Sequence, residues 1–501
     1  MNIAPPPAQP GTLTHAEVVS IIAGVMLAMF LAALDQTIVA TALPTIGNAL
    51  GDVVHLPWVV TAYLLAATAV TPLYGKFSDV HGRRITLLVG IGIFIVGSVL
   101  CALAPTMLTL IVGRFIQGLG GGGLIALAQT IIGDITSPKE RSRYQAFIAS
   151  VFLSSSVLGP LLGGFFADKL HWSLIFWINL PLGFLAFLMT YRLLRKLPRH
   201  ERKHSIDVLG GIILLAATVS LMLLLNWGGI TYPWFSIEII GLAVVSLFAW
   251  IGFVARLHAA PEPFLPLSLL KNQVVRTGNI STAFSMGAFI GLSIYLPIYL
   301  QTVYRFSAGA TGVVLIPLMA GTVCGAFISG ALMPKVRHYK RLPIFGLSIS
   351  TLGLIVLAIH PEPMPLIALE VIFIIISVSL GTSLPVTTIS IQNAVPLYQL
   401  GMTMALMNFA RQLGGAVAVA IFGAIVFGLL MHGGGAGGGA GMSHENLSAA
   451  FTASTADFAP AFRWVFVAAA ICLGVALLAL IRMEERPLRS TIGETPPAAM
   501  E

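Results

Sequence analysis

Fourteen blocks of apolar residues, most of them about 20 long, restrict what this chain can fold into more than any other feature. About 20 apolar residues in a helix cross the ~30 Å hydrocarbon core of a bilayer. Lipid offers no hydrogen-bond partners, so each crossing must satisfy its own backbone, as a helix does. The period-2 alternation of a transmembrane barrel is absent. Charged residues make up only 9% of the chain, too few to cover the surface of soluble domains of this total length. The expected fold is all-α and integral to the membrane.

The expected spans lie near 18–42, 57–77, 85–104, 107–131, 146–167, 172–193, 207–226, 236–256, 274–300, 309–333, 342–360, 364–385, 401–431 and 461–482. They fall into a bundle of six (18–193), an extra pair (207–256) and a second bundle of six (274–482). A cytoplasmic N-terminus (1–17) is expected to be disordered, and its following apolar run to act as an uncleaved insertion signal. A basic linker (194–206), a second linker (257–273) and a tail (483–501) are expected in the cytoplasm, and a flexible Gly-rich loop (432–460) outside. With both termini placed inside, 22 of the 27 Lys and Arg fall in cytoplasmic loops and three on the other side; Arg114 and Arg411 fall within spans. Miscounting one helix would scramble that split, and the net charge of +8 therefore reads as membrane orientation and contact with anionic headgroups, not as nucleic-acid binding. The extra pair is nearly devoid of polar positions and is expected to be peripheral.

Three charges sit deep inside spans: Asp35, Arg114 and Arg411. Each costs about 2.5–3.5 kcal/mol to insert, so such groups usually face a bundle interior or water. Asp35 lies about 8 residues from the outer end of its span and Arg114 about 7 from the outer start of its own, so both sit roughly 10–12 Å deep. Equal depth and opposite charge predict a direct or water-bridged pair, either structural or a proton relay. Arg411, near mid-depth, is open to three readings: a contact for anionic substrate, a neutraliser of a carboxylate, or a packing residue. Glycines cluster around Gly118 and at Gly159-Pro160 with Gly163-Gly164, where small residues permit close helix packing and Pro permits a bend.

At these motifs the sequence resembles the major facilitator superfamily, in its fourteen-helix drug/proton antiporter branch. The resemblance is carried by Leu34-Asp35-Gln36-Thr37 through Pro44, by Gly75-Lys76-Phe77-Ser78-Asp79-Val80-His81-Gly82-Arg83-Arg84, and by Arg114 with Gln117-Gly118. Gly159-Pro160 with Gly163-Gly164, Ile178-Asn179-Leu180-Pro181, and Asn408 with Arg411-Gln412-Leu413-Gly414-Gly415 complete it. Ser155 stands where the fifth-helix motif has Gly, and His171-Trp172-Ser173-Leu174-Ile175-Phe176 lacks the usual Arg.

The resemblance implies two rocking six-helix bundles that exchange protons for a small molecule. Asp35 and Arg114 would couple the proton. Gly75, Asp79, Gly82, Arg83 and Arg84 would latch one conformation, and Gly118, Gly159, Pro160, Gly163 and Gly164 would form a hinge or packing interface. Gln36, Gln117, Asn179, Gln301, Asn408 and Arg411 are candidate cavity residues. No metal or cofactor is expected, the energy coming from the proton-motive force. The expected partners are small molecules, protons, membrane lipid and, where the host has an outer membrane, a periplasmic adaptor. The expected location is the cell membrane. The substrate is open between many lipophilic or amphipathic compounds and one dedicated metabolite or antibiotic. An intramembrane enzyme or a channel is the remote alternative: H-E-x-x-H, G-x-S-x-G and Walker A motifs are absent from the sequence, and its eleven His are scattered.

Overall fold

The computed structural model describes residues 14–52, 55–196, 207–229, 231–433 and 459–489. Among them are fourteen helices long and apolar enough to cross a membrane. In chain order they are His15–Leu50, Leu56–His81, Arg83–Ala102, Met107–Ile135, Pro138–Lys169, Leu174–Leu193, Val208–Trp227, Ile237–Ala259, Gln273–Thr302, Ala308–Leu332, Arg341–Ile359, Leu366–Asn393, Leu400–Gly433 and Ala459–Arg482. They are called the first to the fourteenth helix below. Most of the N-terminal segment, the basic stretch 197–206, the core of the Gly-rich loop and the tail beyond 489 lie outside the described residues.

Several helices run longer than hydropathy predicts. The first begins where Thr14 and Glu17 form a reciprocal cap and continues through Pro44 to Gly51, whose φ of 69° ends it. The twelfth continues to Asn393, its last turns (Thr387, Thr388, Ser390, Gln392) being polar yet buried, with Gln392 bonded to Arg141 of the other bundle. The fourth is interrupted at Gly122-Gly123, where the second helix presses on it: a Cβ at Gly122 would strike Ala67, and Thr71 donates to the Gly122 carbonyl at 2.8 Å.

Helix pairing follows a repeat. In the N-terminal bundle the first helix packs on the fifth and sixth, and the third and second pack on the fourth. Adding eight to each number gives the C-terminal bundle: ninth on thirteenth and fourteenth, eleventh and tenth on twelfth. An even offset means that equivalent helices point the same way, as in parallel repeats about an axis along the membrane normal. The bundles meet through the second helix on the thirteenth and the fifth on the tenth. The seventh and eighth helices pack chiefly on each other, and Trp250 of the eighth lies 6.5 Å from Phe409 of the thirteenth. Asp207 caps the seventh helix at Gly210 and binds Arg256 of the eighth at 3.0 Å, tying the pair together at the end carrying the Lys/Arg-rich loops. That end is called the basic end.

Candidate functional site

Asp35, on the first helix, is fully buried and held by side chains of the fourth and sixth helices. Arg114 Nη1 donates to one carboxylate oxygen at 2.6 Å; Gln117 Nε2 and Asn179 Nδ2 donate to the other at 2.7 and 2.9 Å. Arg114 is held in turn: its Nε donates to the Val59 carbonyl at 3.0 Å, its Nη1 also to Gln117 Oε1 at 2.7 Å, and its guanidinium lies 4.3 Å from the Tyr63 ring centroid. Ser98 accepts from Gln117 at 2.8 Å. Two glycines permit this convergence. A Cβ at Gly97 would meet the Gln117 backbone and one at Gly118 the Tyr63 carbonyl, so bare backbone lets the third and second helices close on the fourth.

Chemically, this is a carboxylate whose ionised form is fully bonded. Protonation would turn one oxygen into a donor and weaken its bond to Arg114, which retains Gln117 Oε1 and the Val59 carbonyl as acceptors. With Asp35 and Arg114 both sealed from solvent, proton exchange requires a conformational change.

At the basic end a second charged cluster joins the bundles. Asp79 accepts the backbone N–H groups of Gly401 and Met402 at 3.1 and 2.8 Å, and is paired with Arg83. Arg83 also donates to Asp134 at 2.8 Å and to the Leu397 carbonyl at 3.2 Å. Gly82, at φ 92°, makes the turn that sets Arg83 beside Asp79. Gly75 faces Ala405 and Gly401, where a Cβ would collide. Two expectations need correction here. The second span, expected to end near 77 and so to leave Asp79 in a loop, runs on to His81 and holds Asp79 in its last turn. Arg84 does not join the cluster: it donates to the Tyr191 carbonyl and stacks 4.7 Å over the Tyr191 ring.

The glycine motif of the fifth helix divides in the same way. A Cβ at Gly159 or Gly163 would strike Thr37, Ile38 or Thr41, so these two form the contact with the first helix, reinforced by Thr37 donating to the Ser155 carbonyl at 2.8 Å. Pro160 is exposed and Gly164 has nothing near its Cβ position, so neither faces that contact. Among the candidate cavity residues, Gln117 and Asn179 belong to the Asp35 cage, and Asn408 is buried between bundles, donating to Gln129 Oε1 at 2.8 Å. Gln36 is exposed beside Asp35, Gln301 lies in the last turn of the ninth helix, and Arg411 donates to Thr388 at 2.9 Å.

Sequence reasoning missed Asp134, Gln129, Gln392 and Arg141. Arg141 donates to Gln392 Oε1 at 3.1 Å across the bundle interface, although its loop position reads only as a topology signal. Gln129 and Gln392, polar within apolar helices, were the available sign. Thr68 donates to Gln412 at 2.7 Å near mid-depth. These cross-bundle bonds run from mid-depth to the basic end. Among the described residues no group of three or more His, Cys, Asp or Glu is arranged to hold a metal.

Residues 25–419 match the Major Facilitator Superfamily. The chain is 35% identical over 414 residues to multidrug resistance protein 3 of Bacillus subtilis (strain 168), covering 83% of this chain and 80% of that protein. It is 32% identical over 406 residues to the multidrug transporter protein MdtP of the same strain, covering 81% and 75%. The crystal structure of the human organic anion transporter MFSD10 (TETRAN) superposes with a TM-score of 0.62 at 16% identity, covering 93% of this chain and 99% of that one; at that identity the likeness is one of fold.

Proposed function

Because this chain belongs to the major facilitator superfamily, and is accordingly a multi-pass membrane transporter and not an enzyme, we propose that it exports small lipophilic or amphipathic compounds in exchange for protons by alternating access. Export is supported by the two relatives named for multidrug resistance and transport. Proton coupling rests on one observation above all: a fully buried carboxylate, Asp35, bonded to Arg114, Gln117 and Asn179 in the N-terminal bundle. A buried ion pair contributes little net stability, whereas a carboxylate whose partners can be rearranged is a proton site.

In this reading the basic end faces the cytoplasm of a cell and both termini lie there. The conformation described is then closed toward the cytoplasm, with Asp79, Arg83 and Asp134 as the latch and the Gly159/Gly163 contact as the surface along which the first and fifth helices adjust. A movement that opens Asp35 toward the outside lets a proton reach it and loosens its hold on Arg114. The rearrangement weakens the latch, the cytoplasmic side opens, the proton leaves and a substrate enters.

The test is transport in proteoliposomes. Wild-type protein should drive uphill movement of an amphipathic dye when a pH gradient is imposed, and Asp35→Asn should abolish that drive while the protein still inserts and binds dye. Gradient-driven transport by Asp35→Asn at the wild-type rate would exclude Asp35 as the coupling group.

A further inference from the structure

The two arginines that lie deep inside spans, Arg114 fully buried and Arg411 partly so, stand in opposite electrostatic situations. Arg114 has Asp35 at 2.6 Å. Arg411 has no carboxylate partner among the described residues, and of its five N–H donors one is bonded, to Thr388 Oγ1 at 2.9 Å. Its Nε is sealed from solvent and has no acceptor, although the residue as a whole is only partly buried.

Among the described residues no nearby acid supplies the missing charge. The six helices of the C-terminal bundle contain a single Asp or Glu, Glu370. It lies on the same helix as Thr388 but 18 residues away, about 27 Å along the axis. Across the interface, Asp35 is enclosed by its three donors, and Asp79 and Asp134 are engaged by Arg83 at the basic end. A guanidinium at mid-depth without a counter-charge costs about 2.5–3.5 kcal/mol on insertion scales.

Its position suits a ligand. Arg411 is 11 residues into the thirteenth helix, about 17 Å from its basic end. The next residue, Gln412, bonds Thr68 across the interface, and Asn408, one turn earlier, bonds Gln129. Arg411 therefore sits at mid-depth, beside the last of these cross-bundle bonds counted from the basic end.

From this geometry we infer that Arg411 with Thr388 forms an anion subsite, and that compounds carried by this protein present a carboxylate or similar small oxyanion there while their apolar body lies against the bundle walls. This rests on the export reading above and adds the substrate's charge class. A planar guanidinium with free donors matches a carboxylate better than an ammonium would, and the ligand's charge offsets the burial of the arginine.

The test is equilibrium binding of rhodamine B, which has a free carboxylate, and of its ethyl ester, which does not, to the full-length protein in phosphatidylcholine nanodiscs, which supply no anionic headgroup. Wild type should prefer the acid by about 10-fold, the scale of one charge-assisted hydrogen bond. Arg411→Gln should reduce that preference to within twofold while ester binding stays within twofold of wild type, which also shows that the variant is folded. Arg411→Lys should keep part of the preference. If Arg411→Gln loses ester binding as well, Thr388→Val is decisive and should lower the acid preference two- to threefold. Equal binding of acid and ester by wild type, no binding of either, or an undiminished acid preference in the Arg411 or Thr388 variants overturns the inference. Gradient-driven transport of the ester reads proton coupling separately: ester transport without any acid preference removes this inference alone, and an acid preference without gradient-driven transport removes the coupling reading alone.

Discussion

The carboxylate of Asp79 accepts the backbone N–H of Met402 at 2.8 Å, so the last turn of a helix in one bundle caps the first turn of a helix in the other. A cap normally belongs to the helix it terminates. Here it crosses an interface that the proposed alternating access opens, which would tie the exposure of two helix N–H groups to the conformational state.

Removing that cap should act on the conformational equilibrium. Asp79→Ala is expected to destabilise the state closed at the basic end by about 1–2 kcal/mol, a 5- to 30-fold shift in population. Turnover should fall while dye affinity changes by less than twofold. Cysteine labelling at the basic end, where reactivity should rise, checks the first part; a large affinity loss without added reactivity would assign Asp79 to binding.

The Asp35–Arg114 pair should show strong coupling in a double-mutant cycle. Asp35→Ala leaves a buried guanidinium without its counter-charge and should cost about 3–5 kcal/mol. The double variant Asp35→Ala/Arg114→Gln should recover much of that loss. Thermal unfolding in detergent measures it, and additive single effects would mean that the contact carries no specific energy.

The fifth-helix glycines should differ among themselves. Gly159→Val and Gly163→Val place side chains against Thr37, Ile38 and Thr41, and should abolish transport or assembly. Gly164→Ala enters open space and should transport as wild type. Transport assays on the three variants at matched expression decide; equal damage at Gly164 would mean that this face packs against something in another conformational state.

The segment after the fourteenth helix should brace the C-terminal bundle. Arg489 is buried and donates to Asn393 Oδ1 at 3.2 Å and to the Gln392 carbonyl at 2.9 Å, while Lys340 bonds Glu485 and the Met483 carbonyl. Arg489→Ala should lose about 1–3 kcal/mol, from carbonyls left unpaired and a charged donor removed. A melting temperature unchanged within error would show that the contact is incidental.

Much of this protein was legible in its sequence, for reasons that are local. Hydropathy along the chain determined the number and order of the spans, since the cost of placing each residue in hydrocarbon is set by that residue. The same pricing singled out Asp35, Arg114 and Arg411. Depth counting brought Asp35 level with Arg114, because rise per residue is fixed in a helix. Only the tertiary structure decided which groups meet. It gave Arg83 a second acid in Asp134, assigned Gln117 and Asn179 to Asp35, removed Arg84 from the latch, and separated Gly159 and Gly163 from Gly164. It also left Arg411 without a counter-charge among the described residues. These outcomes depend on how each helix is rotated about its axis and on which neighbour it touches. A sequence prices residues along one dimension, while contact between helices is fixed by side-chain volumes packed from several of them at once.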